Sequence, residues 1–138
     1  MTALNDRVAL VTGSSRGIGT AIARAFAAEG AKVVVHGRDR AALASVAASI
    51  ERDGGRVRHV VGDVSAFADL EAMRADIEQA FGPVDILVAN AGGSPTRPGP
   101  LETITEADWR AGVDGNLTAT FLTIKCFLPG MKERRRGN

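Results

Sequence analysis

Short apolar runs alternate along this chain with longer stretches in which apolar residues return every three or four positions. The runs are Val8-Ala9-Leu10-Val11 within a strand expected over 7–12, the valines of 32–36, Val57 to Val61, and 84–89. They are largely apolar rather than strictly alternating, as in strands covered on both faces. One helix is expected from Ile18 to Glu29, with Ile22, Ala25, Phe26 and Glu29 at helical spacing and Gly30 placed to stop it. A second, from Arg40 to about Arg52, turns Leu43, Val46, Ala47 and Ile50 inward, with Asp39 as its N-cap. A third takes Ser65 as its cap, aligns Leu70, Met73, Ile77 and Phe81, and ends at Gly82-Pro83. Asn90 to Leu101 is rich in glycine and proline and reads as a loop. Thr105 and Asp108 then form a capping-box pattern. The last helix is expected to reach roughly Glu133, with Val113, Leu117, Phe121, Ile124 and Leu128 as its apolar stripe and Pro129 near its end.

This order of elements predicts right-handed βαβ units and a parallel sheet, an α/β doubly wound fold with strand order 3-2-1-4. Residues 1–138 fit one domain. Composition narrows the partners. Hydrophobic residues make up 45% and charged residues 24%, ordinary for a globular domain. A net charge of +1 gives nucleic acid or an anionic membrane little to hold. No apolar run approaches the roughly 18 residues of a membrane span, and Asp6-Arg7 precedes the first strand, which argues against a secretory signal. The single cysteine, Cys126, reads as an inert helix residue and fits a reducing, cytoplasmic compartment. Lys132, Arg134, Arg135 and Arg136 read as a solvated helix end whose cations complement the dipole. Trp109 and the last helix's stripe read as packing surface.

The chemistry concentrates where the first strand meets the first helix. Gly13, Gly17 and Gly19 are spaced G-x-x-x-G-x-G there. Gly13 permits a tight turn, Gly17 lets the backbone approach a phosphate, and Gly19 lets the helix lie close to the strand. Orphan N–H groups at the positive helix end would face the ligand, and Ser14 and Ser15 would add hydroxyl donors. A dinucleotide's pyrophosphate is the ligand this arrangement implies; a glycine-rich turn without a ligand is the alternative. His36 reads as a strand-end residue with no evident partner. No metal site is expected.

Thr12-Gly13-Ser14-Ser15-Arg16-Gly17-Ile18-Gly19, taken with Asn90-Ala91-Gly92, resembles the short-chain dehydrogenase/reductase family. That family's motifs are T-G-x-x-x-G-I-G and N-N-A-G, and Ala89 here replaces the first Asn of the second. The resemblance implies a Rossmann-type fold and hydride transfer between a ketone and a secondary alcohol, with a small-molecule substrate. It is closest to 3-oxoacyl-carrier-protein reductases and bacterial sugar or steroid alcohol dehydrogenases. It implies that Asp63 of the Asp63-Val64 pair accepts from the adenine amine, and that Asn90 orders backbone beside the cofactor. Asn116 falls where the family places a catalytic-site Asn that organises a water. The helix carrying Phe121, Ile124 and Leu128 is implied at a subunit interface, so a homo-oligomer is expected.

The choice of nicotinamide cofactor turns on the end of the second strand. An acidic residue there would bind the ribose hydroxyls of NAD and repel a 2′-phosphate. Gly37 stands at that position, followed by Arg38 and Asp39. Arg38 can fork onto a 2′-phosphate, with Arg16 adding charge from the glycine turn, so NADP(H) is expected over NAD(H). The plainer alternative leaves Arg38 solvated and Asp39 a helix cap.

The family's proton relay needs a serine and a Tyr-x-x-x-Lys motif, and this chain has no tyrosine. Lys125 and Lys132 are therefore not candidates. The chain is expected to be the N-terminal part of a longer single-domain reductase, ending after the fourth strand and its helix; the alternative is a catalytically inactive dinucleotide-binding module. Residues 132–138 read as the lead-in to a fifth strand. The edge of Ile86-Leu87-Val88 would then be open and would favour association.

Overall fold

A computed structural model describes residues 3–138. Its four strands are β1 (Val8–Val11), β2 (Lys32–Gly37), β3 (Arg56–Val61) and β4 (Ile86–Val88). They form one sheet in the order β3-β2-β1-β4, and each neighbouring pair is parallel. The helices are α1 (Gly17–Ala28), α2 (Arg40–Arg52), α3 (Phe67–Phe81), α4 (Glu106–Val113) and α5 (Ala119–Arg134).

Successive strand residues go to opposite sides, which divides the core in two. Val8, Leu10 and Val34 meet Leu70, Met73 and Ile77 of α3 and Ala119, Cys126 and Phe127 of α5. Ala9, Val11, Val33 and Val35 meet Ala23 of α1 and Leu43, Val46 and Ile50 of α2. Both faces are covered, so β1 and β2 have no polar alternation. Each fully buried leucine or isoleucine contributes about 1.5–3 kcal/mol relative to exposure.

Two helix starts follow the sequence signals. The Asp39 carboxylate accepts from the Ala42 amide at 3.1 Å, and Thr105 with Asp108 closes a reciprocal capping box. Ser65 does not cap α3. Its amide and hydroxyl both donate to Asp63 Oδ1, and the helix begins after Ala66. A nearby carboxylate is a stronger acceptor than the hydroxyl is a cap, so the serine turns toward it. In α1 the buried positions are Gly19 and Ala23, while Ala25 and Glu29 are exposed.

The last helix differs most from its pattern. A single π-turn, Asp114–Thr118, joins α4 to α5 and shifts the helical phase. Ala119, Thr123, Cys126 and Phe127 face the core, and the expected stripe of Leu117, Phe121, Ile124 and Leu128 faces outward. Trp109 is exposed as well. Pro129 lies inside α5 and does not end it; the chain leaves the helix at Arg135, in the left-handed conformation.

The basic cluster is not simply solvated. Arg134 donates to the Val84 carbonyl at 2.8 Å, and Arg136 pairs with Asp85 at 2.9 Å. Between them they bring Asn138 alongside β4, where its amide donates to Asp85 O and its carbonyl accepts from the Leu87 amide, both at 2.9 Å. These two bonds lie along the outer edge of β4, while residues 132–134 of the expected lead-in belong to α5.

Candidate functional site

Helices α1 and α2 leave the sheet on one side and α3 and α5 on the other, so the connections diverge between β1 and β4. In open α/β sheets the crevice at such a point, beyond the carboxyl ends of the strands, is where ligands bind. The glycine turn lies there. Gly13 sits at φ +63° and Gly17 at φ +59°, which β-carbon-bearing residues rarely adopt. A side chain at Gly19 would strike the Gly13 carbonyl, Ser14 Cα and the Asn90 amide, whereas Gly17 faces open space. The first turn of α1 is thus pressed onto the turn, with its amide end open toward the crevice.

That end has no side-chain cap. Arg16 occupies the N-cap position in extended conformation without capping, and the first turn carries no acidic residue. Helices α2 and α4 have theirs closed by Asp39 and Thr105. The uncapped α1 end keeps its orphan donors and its positive potential available to an anion.

Across the crevice, the turn after β4 is laced to the glycine turn. The Asn90 side-chain amide donates to the Thr12 and Gly13 carbonyls at 3.0 and 3.1 Å. The Thr12 hydroxyl accepts from the Asn90 and Ala91 amides at 3.0 and 2.9 Å and donates to the Val88 carbonyl at 3.3 Å. Beyond it, Gly92 lies against Asn116. Asn116 Oδ1 accepts from the Gly93 amide at 2.9 Å, and its Nδ2 donates to the Gly93 and Gly112 carbonyls at 2.8 Å each. The side chain that the resemblance puts beside a water is engaged in holding the loop to the π-turn.

The remaining predicted residues divide by environment. Ser14 is fully buried; its hydroxyl donates to the Val11 carbonyl at 2.7 Å and accepts from the His36 amide at 2.9 Å, so it is no ligand donor. Ser15 is half-buried and lies beside Gly37, whose Cβ, if present, would stand 3.3 Å from the serine side chain. Arg16 and Arg38 are exposed, as is the side chain of Ile18. Val64 packs its side chain into the core, leaving only backbone for the crevice. Two Ser65 hydrogen bonds hold the Asp63 carboxyl below the ordinary carboxylate value. Both fall on Oδ1. The Asp63 amide donates to Asp69 Oδ2, which fixes the backbone there.

Two residues to which the sequence assigns no binding role belong to this site, and His36, expected to have no partner, has two. Thr12 joins the two turns, and His36 bonds both of its ring nitrogens. The Gly13 amide donates to His36 Nδ1 at 3.1 Å, and Nε2 lies 2.9 Å from the Gly62 carbonyl. Each contact crosses the sheet between residues distant in sequence, so no local pattern announces it. Other recesses, of about 620 and 630 Å³, lie beside β3 and α3 and on the outer face of α5, away from these groups.

A parallel sheet of this order, with a glycine turn and an uncapped helix at its divergence, defines a Rossmann-type nucleotide-binding fold. The chain belongs to the short-chain dehydrogenase/reductase family: the family model described as short chain dehydrogenase matches residues 7–138. The D-beta-hydroxybutyrate dehydrogenase of Cupriavidus necator is 40% identical over 134 residues, 97% of this chain and 51% of that protein. A 3-oxoacyl-[acyl-carrier-protein] reductase of Synechocystis is 40% identical over 138 residues, 99% of this chain and 55% of that protein. A metagenomic short-chain oxidoreductase solved in complex with NADP superposes with a TM-score of 0.90 at 40% identity, covering 97% of this chain and 60% of that one. The chain therefore spans about half the length of the curated relatives it matches. No helix among the described residues is long and apolar enough to cross a membrane.

Proposed function

We propose that residues 1–138 form the dinucleotide-binding part of an NADP(H)-dependent reductase that interconverts a ketone and a secondary alcohol. The uncapped start of α1, facing a crevice fixed by Thr12 and Asn90, is the observation that carries this reading. In it, the amides after Ser15 take the diphosphate, and Arg38 with Arg16 takes the 2′-phosphate. Asp63 accepts from the adenine amine, using Oδ2, which has no hydrogen-bond partner among the described residues. The bound nicotinamide would supply the hydride. Ala91 and Gly92 border its ribose, and Asn116 acts as a positioning residue that sets the Gly93 loop.

Gly37 supports the NADP preference. Its closeness to Ser15 leaves an acidic side chain there little room, and Asp39 is already bonded to α2. The similar metagenomic enzyme solved with NADP points the same way. A second reading, dinucleotide binding without turnover, is favoured by one observation: the sequence contains no tyrosine to pass the proton.

Titration with NADPH and NADH, alongside a ketone-reduction assay, separates these readings. Arg38→Ala should weaken NADPH by about tenfold, the weight of one charge-assisted contact, and leave NADH unchanged. Equal weakening of both would remove the 2′-phosphate assignment, and no binding at millimolar concentration would remove the whole reading. We also propose that the outer face of α5 joins copies of the chain.

A further inference from the structure

We propose that His36 is the positioning residue of the phosphate-binding turn: as the Nε2-protonated imidazole it ties Gly13 to Gly62, and dinucleotide affinity follows its protonation state. This rests on the dinucleotide reading above and adds a residue and a pH dependence to it.

Four hydrogen bonds converge on this residue. Its backbone exchanges two with Ser14: the His36 amide donates to Ser14 Oγ at 2.9 Å, and the Ser14 amide donates to the His36 carbonyl at 2.8 Å. The serine amide bond is available to any residue at the end of β2. The ring supplies what another side chain would not. The Gly13 amide donates to Nδ1 at 3.1 Å, and Nε2 lies 2.9 Å from the Gly62 carbonyl. A carbonyl can only accept and an amide N–H can only donate, so these partners fix the proton on Nε2. The ring therefore spans from the glycine turn to the residue just before Asp63. In the proposed complex those are the diphosphate and adenine ends of one crevice.

The ring is nearly sealed, with His36 only 3% exposed. A proton added to Nδ1 would face the Gly13 N–H, two donors meeting across 3.1 Å, and the turn would have to move. Burial is the largest influence on the ring and holds its pKa below the ordinary 6.5. The Gly62 carbonyl and Asp63, on the β3–α3 turn, favour the charged ring, and Arg38, after β2, opposes it. The β1–α1 turn meets it through Gly13 and Ser14. The neutral form holds at pH 7, and the clamp opens as pH falls through that lowered value.

The test titrates NADPH and NADH into the full chain from pH 8 down to the lowest pH at which the chain stays folded, NADH being included because it lacks a 2′-phosphate that titrates itself. The unmodified chain should lose about tenfold in affinity for both on acidification, the weight of a buried hydrogen bond. His36→Asn puts an acceptor near the Nδ1 position, gives up the Gly62 contact and cannot ionise; it should bind more weakly than the unmodified chain at pH 8 and more tightly than His36→Gln, with a flat NADH profile. His36→Gln reaches toward Gly62 but withdraws the acceptor from Gly13, and should bind about tenfold more weakly at every pH. Nitrogen-15 shifts of the ring should report the Nε2–H form, and the Gly13 amide should be protected from exchange until the ring charges. These two measurements decide the matter if either variant fails to fold. An Nδ1-protonated neutral ring, an unprotected Gly13 amide, or variants sharing the unmodified pH profile would overturn the inference alone. Absence of any binding by the unmodified chain would overturn the dinucleotide reading and this inference together.

Discussion

Single residues here act by what they join. Thr12 follows the last residue of β1 and is 1% exposed, yet its hydroxyl serves the Asn90 and Ala91 amides and the Val88 carbonyl. Thr12→Val keeps the shape and removes the oxygen, stranding the Ala91 amide in a partly buried turn, while the Asn90 amide keeps the Val88 carbonyl at 2.9 Å. Each unmade bond of this kind costs about 1–3 kcal/mol, so the variant should lose about 2 kcal/mol in urea denaturation, with Thr12→Ser restoring most of it. If valine is neutral, the lacing of the two turns carries no weight. The glycines of this turn were readable from sequence because the residue type itself reports a backbone requirement. Thr12, Ser14 and His36 were not, since the roles of their side chains depend on which strand ends lie side by side. That is a property of the sheet order, and the same serine or histidine in another topology would face other partners.

Elements were readable in type and less so in orientation. The caps of α2 and α4 follow from residues a few positions apart, and β1 and β2 follow from buried apolar runs, whereas β3 and β4 are only partly buried. Helix α5 is apolar on two sides, so periodicity offers two stripes without saying which meets the sheet. The π-turn at Asp114–Thr118 then breaks the phase that linked Val113 to the residues after it. The basic end of α5 misled for a related reason: charge near a helix terminus usually means solvent, but here β4 passes within reach. Asp85 is nearly buried, accepts from the Val8 amide at 3.1 Å, and is paired by Arg136. The guanidinium is half exposed, so Arg136→Ala should destabilise by only about 1 kcal/mol. Its clearer effect should be faster amide exchange at Leu87, whose partner is the Asn138 carbonyl. Unchanged exchange there would mean that the tail holds β4 without the ion pair.

At the scale of the whole molecule, two surfaces compete as sites of self-association. The edge of β4 was expected to be open, but Asn138 already occupies the Leu87 amide and the Asp85 carbonyl along it. Among the described residues, nothing covers the outer face of α5 in this way. Phe121, Ile124 and Leu128 are 59%, 43% and 45% exposed and line one shallow groove with Pro129, flanked by Lys125 and Lys132. An apolar strip rimmed by charge is the pattern of a contact surface, and placing it in water forgoes about 25 cal/mol for each Å² left uncovered. The lysine at 125 lies over the Phe67 and Phe121 rings, 5.0 and 5.9 Å from their centroids, which keeps its charge at the rim. Sedimentation should therefore show a concentration-dependent dimer or larger species. Leu128→Lys should return the chain to monomer and lower its unfolding midpoint only modestly, because nearly half of that side chain is exposed and gains its apolar contribution only when a second surface covers it. Association that survives the lysine would move the contact to the β4 edge. A monomer in the unmodified chain at all concentrations would remove self-association from the proposal, while leaving the dinucleotide crevice, whose residues line no part of the α5 groove, untouched.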